Sequence, residues 1–412
     1  MFMYYVQAIA EGIYWVGGND RRLERFENMF PIPQGVAYNS YLMMDEKTVL
    51  VDTVDSAISA LYLENVMHVL GGRPLDYLVV NHMEPDHCAN IEELVRRYPD
   101  MKIVGNTKTF QFLEQFYSFN KKENYLEVKE GDELAVGKHT LQFFFAPMVH
   151  WPEVMVTYEQ TEKILFSADA FGSFGAHAGT LFSDQVDFEH VYLDEARRYY
   201  ANIVGKYGVQ VQAALKKLSA LDIHMICSVH GPIWRKNLDY ILDKYNCWSR
   251  YEPEQKGVVL LYASMYGNTE NVMNRIAGKL AEKGVRDMRM YDVSKTHPSY
   301  IIADAWKYSH MVIGAPTYNM GLYFVMEALL HEMAGLNFQN RKVALVGNYT
   351  WACKSVPILR SLVESMKKME IIGTPFEINS SMKAAQEPEL DKLVEDIYAS
   401  LVSEGYTNTE RS

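Results

Sequence analysis

The chain has 412 residues, roughly two to three times the length of a typical domain of about 150 residues, so a single small domain is excluded. Hydrophobic residues make up 48% of the sequence and charged residues 22%, which excludes a largely disordered or collagen-like chain. Acidic residues outnumber basic residues by 52 to 40, the formal net charge is −12, and no run of five basic residues occurs, so a nucleic-acid partner is not expected.

The cysteines and the apolar runs restrict the class further. Four scattered cysteines without a C-x-x-C pair indicate reduced thiols and a cytoplasmic location rather than a disulfide scaffold. The longest apolar runs, such as 141–149, fall short of the ~20 residues that span a bilayer, so no membrane helix is predicted. Residues 1–17 lack a basic start and contain Glu11, so we interpret residues 12–17 as a first strand rather than as part of a secretory signal.

From residue 37 to about 250, short strands and turns are interrupted by helical stretches. Two β-rich runs, 38–42 and 48–52, predict a hairpin around a turn at 45–47. Residues 91–98 have helical spacing, with Asn90 as the expected N-cap. Further strands are predicted at 75–81, 102–104, 141–146, 154–158, 164–167 and 225–229, and two helices within 192–221.

The polar segment 250–257 precedes a change of pattern and is interpreted as a linker. The predicted domains are 1–250 and 257–412, with the linker at 251–256. After the linker, five short apolar strands alternate with helices, which predicts a doubly wound parallel sheet. These strands are expected at 258–262, 288–292, 311–314, 343–347 and 373–376, and the last helix is expected to end near residue 401.

The run NHMEPDHC, from Asn81 to Cys88, concentrates potential metal ligands directly after a strand. Further ligand-type residues follow three other predicted strands. Each of these three alone would more often be a packing residue or a cap, but together they favour a metal centre at one edge of a sheet. The seven candidates are His82, Glu84, Asp86, His87, His150, Asp169 and His230.

Four neutral imidazoles and three carboxylates form a hard site of charge −3. Such a site suits two cations bridged by a carboxylate, whereas structural zinc favours sites rich in thiolates. Redox iron is therefore favoured. His177 is a candidate for an outer contact. We expect one ion at His82, Glu84 and His150, the other at Asp86, His87 and His230, and Asp169 between them; surface or core positions are expected for His68, His139, His190, His224, His297 and His310.

This ligand pattern resembles the metallo-β-lactamase-like fold, and in particular the flavodiiron proteins. In hydrolytic members of that fold, the position of Glu84 is usually a histidine that suits zinc. The resemblance therefore makes Glu84 the residue that distinguishes an oxidase-type site from a hydrolase.

A second group of residues follows the strand at 258–262. Residues 263–270 (ASMYGNTE) open a helix, where backbone N–H groups and the positive end of the helix dipole favour a phosphate, although an ordinary Ser/Thr N-cap has a similar pattern. The loops at 314–321 and 347–353 are bounded by glycine and contain aromatic residues that could cover a flat ring or simply pack. In a doubly wound sheet all three loops meet at the ligand-binding edge.

These loops resemble the FMN site of flavodoxin. The resemblance assigns the phosphate to Ser264, Tyr266, Asn268 and Thr269. One departure is the triplet Ala352, Cys353 and Lys354, where a Gly-rich loop would be expected. The resemblance places five residues around the isoalloxazine ring: Pro316, Thr317, Asn319, Asn348 and Trp351. The remaining candidates for FMN binding are Met265, Gly267, Tyr318, Gly321 and Tyr349.

The combined resemblance implies an αββα sandwich followed by a flavodoxin-like domain, and an oxidoreductase that reduces O2 to water, NO to N2O, or both. It further implies FMN, two iron ions, a head-to-tail homodimer and an external donor such as rubredoxin. Tyr199 or Tyr200 is a candidate for a phenol near the metals. Residues 25–30 lack the histidine that many members carry near the diatomic ligand, so the choice between O2 and NO stays open.

Two other functions remain as alternatives. One is a dinuclear zinc hydrolase fused to a flavodoxin module, and the other is an electron carrier whose lactamase-like half is only a scaffold. Glu84 argues against the first, and the complete set of seven candidate ligands argues against the second.

Overall fold

The computed structural model describes residues 4–118 and 122–407. The chain divides into two compact units, the first comprising 1–200 and 209–246 and the second comprising 201–208 and 247–412. The domain bounds of the sequence analysis stay predictions, although Gln255 and Lys256, assigned there to the linker, belong to a strand. No helix of the described residues is both long and apolar enough to cross a membrane.

The first unit contains two large sheets whose facing sides form one hydrophobic core. Val51 and Val79 of one sheet and Phe143 and Phe166 of the other belong to this core. The strands, in chain order, are β1 Gln7–Ala10, β2 Ile13–Trp15, β3 Gly18–Asp20, β4 Arg25–Phe26, β5 Phe30–Pro31, β6 Val36–Tyr38, β7 Tyr41–Met44, β8 Thr48–Val51, β9 Tyr77–Val79, β10 Lys102–Gly105, β11 Tyr125–Glu127, β12 Glu133–Ala135, β13 Thr140–Phe145, β14 Met155–Glu159, β15 Ile164–Phe166 and β16 Met225–Cys227.

One sheet has the order β1-β2-β7-β8-β9-β10-β11, and the other has the order β12-β13-β14-β15-β16. Helices α1 and α4 pack against the first sheet. This arrangement confirms the predicted sandwich. The helices up to the second unit are α1 Ser59–Leu70, α2 Pro85–Cys88, α3 Ile91–Arg97, α4 Thr107–Phe116, α5 Phe188–Val191, α6 Leu193–Tyr199, α7 Gly208–Leu218 and α8 Leu238–Ser249, with a π-helical turn at Tyr200–Val204.

The second unit is a parallel sheet of order β18-β17-β19-β21-β22, in which β23 extends the edge beyond β22 by pairing with β21. This is the 2-1-3-4-5 order of flavodoxin-like folds, and it confirms the predicted doubly wound sheet. Its elements are β17 Gln255–Tyr262, α9 Asn268–Glu282, β18 Met288–Asp292, α10 Pro298–Lys307, β19 Tyr308–Tyr318, β20 Gly321–Leu322, α11 Phe324–Gly335, β21 Lys342–Tyr349, α12 Ser355–Ser365, β22 Glu370–Ile371, β23 Phe376–Asn379 and α13 Glu387–Ser403.

Two glycines allow helices to lie close against this sheet. A Cβ atom on Gly314 in β19 would lie 2.7 Å from Sδ of Met273 in α9, and one on Gly347 in β21 would lie 2.3 Å from Cγ2 of Val356 in α12. Both distances are shorter than a normal carbon contact. The absence of a side chain at these two positions therefore allows α9 and α12 to pack close to the sheet.

One local prediction is confirmed only in position, and another is wrong. Asn90 is the N-cap residue of α3, but its side-chain amide donates to the carbonyl of Val54 at 2.7 Å and makes no hydrogen bond to the start of the helix. The strand expected at 373–376 begins at Phe376 instead, because Gly373 has a left-handed φ of +67° and separates β22 from β23. Both features depend on contacts or backbone angles that the local pattern does not specify.

Candidate functional site

The first cluster of candidate ligands is built around the short helix α2. Glu84 is the extended residue directly before α2, and Pro85 occupies the first helical position, where its missing N–H costs no hydrogen bond. Asp86 and His87 lie on the helix itself. This local geometry turns the chain sharply after β9, so that four side chains of one short segment face the same place.

The structure gathers one group of ligand atoms from His82, Glu84, His150 and Asp169. Nε2 of His82 lies 3.2 Å from Oε2 of Glu84 and 3.2 Å from Oδ2 of Asp169. Nε2 of His150 lies 3.0 Å and 3.5 Å from the same two oxygens. Two imidazoles and two carboxylates therefore converge on one point.

A second group is formed by Asp86, His87 and His230. Nε2 of His87 lies 3.3 Å from Oδ1 of Asp86, and Nε2 of His230 lies 3.2 Å from Oδ2 of Asp86. Oδ1 of Asp169 lies 3.3 Å from His87 and 3.6 Å from His230. Asp169 thus presents one carboxylate oxygen to each group, which is the arrangement expected of a carboxylate that bridges two cations.

Several polar atoms of this centre lack hydrogen-bond partners. Among the described residues, both oxygens of Asp86, both ring nitrogens of His87, Oδ2 of Asp169 and Nε2 of His230 are buried without a hydrogen bond. Leaving buried polar groups unsatisfied costs about 1–3 kcal/mol each. Cations coordinated by these atoms would satisfy them, so the donor set fits two metal ions.

The pKa values show the same mutual attraction between imidazoles and carboxylates. Burial would raise the pKa of Asp169, but His87, His150 and His82 hold it well below its usual value. Burial would lower the pKa of His87, but Asp86 and Asp169 raise it to about 9. The centre therefore favours positive charge strongly enough to overcome the cost of desolvation.

Glu84 and His150 behave in the same way. Burial opposes ionisation of Glu84, yet His150 and His82 keep the pKa of this carboxyl far below its usual value. Burial lowers the pKa of His150, and Asp169 and Glu84 more than compensate and raise it to about 9. A bound cation would take the place of the protons held here.

An asparagine that the sequence analysis missed holds the loop of His230. Asn39 donates its amide to the carbonyls of Ser228 and Gly231, each at 2.9 Å, and accepts from Nε2 of His177 at 2.9 Å. His177 thus contacts Asn39, which in turn contacts the backbone on both sides of His230, and its predicted position next to the ligands stays a prediction. Burial, with a smaller contribution from Arg21, lowers the pKa of His177 to about 4, so its ring is neutral.

Of the two candidate tyrosines, Tyr199 reaches the centre. Its buried hydroxyl donates to Oδ1 of Asp169 at 2.7 Å. The ring of Tyr200 lies against Tyr245, with centroids 5.0 Å apart. The geometry thus favours Tyr199 over Tyr200 as the phenol near the metals.

The turn between β4 and β5 faces the centre without a histidine, as the sequence indicated. The ring of Phe26 meets that of His230 edge-on at 5.2 Å. The next residue, Glu27, has a left-handed φ of +51°. Although much of this residue is exposed, its carboxyl is desolvated next to Glu84, and these two effects raise the pKa of Glu27 to about 8. The sequence analysis did not identify Glu27, because its position depends on this turn.

The other histidines named in the sequence analysis have partners elsewhere, as expected of surface or core residues. Their contacts are His68 with Tyr4, His139 with Asp45, His190 with Asp187, His224 with Asp222, His297 with Ser299, and His310 with Ser309 and Ser400.

The second unit has a pocket of about 470 Å³ at the carboxyl edge of its sheet. Gly267 and Gly321 are not among the lining residues. Gly267 precedes α9 with a φ of +87°, and Gly321 in β20 pairs with Tyr318 in β19. Thr350, Ala352 and Ser380 line it in addition. The predicted residues that line it are Ser264, Met265, Tyr266, Asn268, Thr269, Pro316, Thr317, Tyr318, Asn319, Asn348, Tyr349 and Trp351.

The start of α9 is arranged for an anion. Gly267 at the N-cap position makes no side-chain cap, so the first N–H groups of the helix are not occupied by a cap. The hydroxyl of Ser264 accepts from the backbone of Gly267 at 3.1 Å, which shapes the loop. Cys353 and Lys354 do not line the pocket; the backbone N–H of Lys354 donates to Thr317 at 3.0 Å.

Comparison with known proteins places the two units in one architecture. The profile of the ODP family beta lactamase matches residues 36–231, and the flavodoxin profile matches residues 260–391. The structure resembles the rubredoxin oxygen:oxidoreductase of Desulfovibrio gigas, with a TM-score of 0.91 and 28% identity over 98% of this chain and 100% of that one. It also resembles the flavodiiron protein of Giardia intestinalis, with a TM-score of 0.86 and 26% identity over 97% and 95% of the two chains.

Curated sequences agree with these structures. A nitric oxide reductase of Moorella thermoacetica is 32% identical over 89% of this chain and 92% of its own length. The chain belongs to the flavodiiron protein family. An anaerobic nitric oxide reductase flavorubredoxin of Escherichia coli is 30% identical over 93% of this flavodiiron protein and 79% of its own length.

This membership confirms several predictions made from the sequence. The flavodiiron protein is an oxidoreductase with a lactamase-like domain and a flavodoxin domain. Its cofactors are FMN, bound by the flavodoxin domain, and a non-haem diiron centre.

Proposed function

We propose that this flavodiiron protein reduces O2 to water, NO to N2O, or both, at a pair of irons held by His82, Glu84, His150, Asp86, His87, His230 and Asp169. Electrons reach the irons through FMN from an external donor. Reducing O2 to two waters takes four electrons and four protons, and the iron pair and the flavin each offer two electrons.

The observation that carries this proposal is the placement of Asp169. Its two oxygens face two separate groups, each with two imidazoles and one further carboxylate. A pair of ions about 3.5–4 Å apart is the usual arrangement for such a bridged site. Glu84, rather than a histidine, makes the first group harder and supports iron over zinc.

The protein's own residues hold the centre in one geometry. The hydroxyl of Tyr199 donates a hydrogen bond to Oδ1 of Asp169 and so orients the carboxylate that would bridge the two ions. Phe26 covers His230 from one side. The carboxyl of Glu27 lies next to Glu84, where it can hold a proton close to the ligands. When bound, the irons supply the electrons and the binding positions for a diatomic gas.

In the flavodoxin domain, the proposed FMN site is the pocket at the start of α9. Ser264, Asn268 and Thr269 lie where a phosphate would meet the helix N-terminus. Trp351 and Tyr266 are 82% and 91% exposed at its rim, which supports aromatic cover of a flat ring. The exposed rim also supports a docking surface for another protein. The proposal therefore includes a head-to-tail homodimer, and rubredoxin as the external electron donor.

A cytoplasmic location is also part of the proposal. It is supported by four cysteines, Cys88, Cys227, Cys247 and Cys353, none of which forms a disulfide in the described part of the chain.

Metal and flavin analysis of the purified protein tests the proposal. We expect about two irons and one FMN per chain. Two zinc ions with ester or thioester hydrolysis would instead support the hydrolase, and FMN without metal would support the electron carrier. Fully reduced protein should then be mixed anaerobically with O2 or with NO, and the two reoxidation rates compared. Failure of both gases to reoxidise iron-loaded protein would refute the proposed activity.

A further inference from the structure

The two groups of ligands differ in what lies behind their histidines. Nδ1 of His82 donates to Oε1 of Glu153 at 2.6 Å, whereas Nδ1 of His230 donates to the peptide carbonyl of Ala37 at 2.8 Å. Within the described residues, Nδ1 of His87 has no hydrogen bond. A carboxyl side chain therefore accepts from a histidine of one group, and a peptide carbonyl accepts from a histidine of the other.

Glu153 is itself fully buried. Its side chain is 0% exposed, and Oε1 accepts the backbone N–H of Met83 at 2.9 Å in addition to the imidazole of His82. Its backbone carbonyl accepts from the amide of Asn106 at 2.6 Å. Oε2 has no hydrogen-bond partner in the described part of the chain. Burying a carboxyl group is costly unless it is paired, and the imidazole of His82 is the side chain that pairs with Glu153.

The two groups otherwise have matching donors. Each has two imidazoles and one carboxylate of its own, and Asp169 gives one oxygen to each. A difference between the two metal positions must therefore arise from their surroundings. A carboxylate that accepts from a metal-bound histidine orients the ring and makes it a stronger donor, and loss of such a contact typically weakens metal binding 10- to 100-fold.

We propose that Glu153 is a positioning residue that holds Nε2 of His82 toward the metals and makes the His82, Glu84 and His150 position the more electron-rich of the two. The iron at this position is then the first to be oxidised and the last to be reduced. This inference rests on the proposed diiron function and adds to it an order in which the two ions lose electrons.

Glu153→Gln separates charge from position, because glutamine keeps the volume and an acceptor oxygen but has no charge. We expect two irons and FMN to remain bound. At the His82, Glu84 and His150 position, we also expect the ratio of ferric to ferrous affinity to fall about tenfold. This fall corresponds to an upward shift of about 59 mV in the reduction potential of that iron, as a one-electron couple. A redox titration followed by the EPR of the half-oxidised iron pair measures this shift.

The matched control is Glu159→Gln. Glu159, at the end of β14, is also buried, but it accepts the backbone N–H groups of Thr161 and Glu162 and, among the described residues, has no hydrogen bond or ion pair with a histidine. The control should leave both iron potentials unchanged. Glu153→Ala removes the carboxyl group and its contact together. It should weaken iron binding at the His82, Glu84 and His150 position 10- to 100-fold and so lower the iron content of the purified protein.

Unchanged potentials in Glu153→Gln, together with full iron content in Glu153→Ala, would overturn the proposal. Wild-type protein provides a test that does not depend on the folding of a variant. Loaded with 57Fe and half-oxidised, it should show one ferric and one ferrous site in its Mössbauer spectrum, and an iron pair with averaged valence would contradict the inference. A wild-type protein that binds no iron would refute the proposed function instead.

Discussion

Replacing Asn39 with alanine removes one buried side chain that serves four partners. The amide of Asn39 donates to the carbonyls of Ser228 and Gly231, and its oxygen accepts from Nε1 of Trp15 at 2.8 Å and from Nε2 of His177 at 2.9 Å. Each hydrogen bond contributes about 1 kcal/mol, so the four predict a loss of about 4 kcal/mol in the free energy of unfolding.

The same substitution should also disturb the metal centre. Ser228 and Gly231 lie on either side of His230, and both lose the donor that fixes their carbonyls. We therefore expect Asn39→Ala to bind fewer than two irons per chain while FMN stays bound, because Asn39 belongs to the first unit and the flavin pocket to the second.

Urea unfolding of the metal-free protein measures the first effect, and iron and FMN analysis measures the second. Asn19→Ala is a matched control, because the side chain of Asn19 accepts one bond from the backbone of His177 at 2.7 Å and should cost only about 1 kcal/mol. The reasoning is refuted if Asn39→Ala keeps both irons and is destabilised no more than the control.

Three further predictions concern the metal bridge, the flavodoxin core and the flavin rim. Asp169→Ala should abolish gas reduction while FMN stays bound, and full activity in a turnover assay would contradict its bridging role. Burial lowers the pKa of His310 to about 4, so neutral His310 stabilises the fold above its unfolded pKa of about 6.5. The free energy of unfolding should therefore fall by up to about 3 kcal/mol as the pH falls from about 6.5 to 4. FMN release in urea should depend less on pH in His310→Asn than in the wild type. Equal pH dependence in the two proteins would disprove the role assigned to His310. Trp351→Ala should change the free energy of unfolding by no more than about 0.5 kcal/mol, because the side chain is 82% exposed, yet weaken FMN binding in a fluorescence titration; unchanged affinity would exclude contact with the flavin.

The clustering of the candidate ligands could be predicted from sequence because most of the information is local. His82, Glu84, Asp86 and His87 lie in one short run after a strand, and the start of α2 turns them to one side. The remaining ligands follow strand ends, where side chains of one sheet edge meet. Family resemblance then supplied the cofactors, which composition alone does not indicate.

The outer contacts could not be predicted in this way. Glu153 meets a histidine 71 positions earlier, and Asn39 meets carbonyls about 190 positions later. Neither residue type stands out in its own segment, since a glutamate or an asparagine in a loop is common. The turn that directs Glu27 depends on strands of only two residues, β4 and β5, which are too short to give a recognisable period.

The close contacts of Gly314 and Gly347 have a consequence for the flavodoxin pocket. Pro316 and Asn348, which line the pocket, lie two residues and one residue beyond these glycines. A methyl group at position 347 would meet the branched side chain of Val356 in α12, whereas one at position 314 would meet the flexible side chain of Met273 in α9, so we expect the first substitution to disturb helix packing more than the second. The packing of helices beneath the proposed flavin pocket therefore depends on two positions without side chains, and screening for altered cofactor preference could begin beneath the pocket rather than at its aromatic rim.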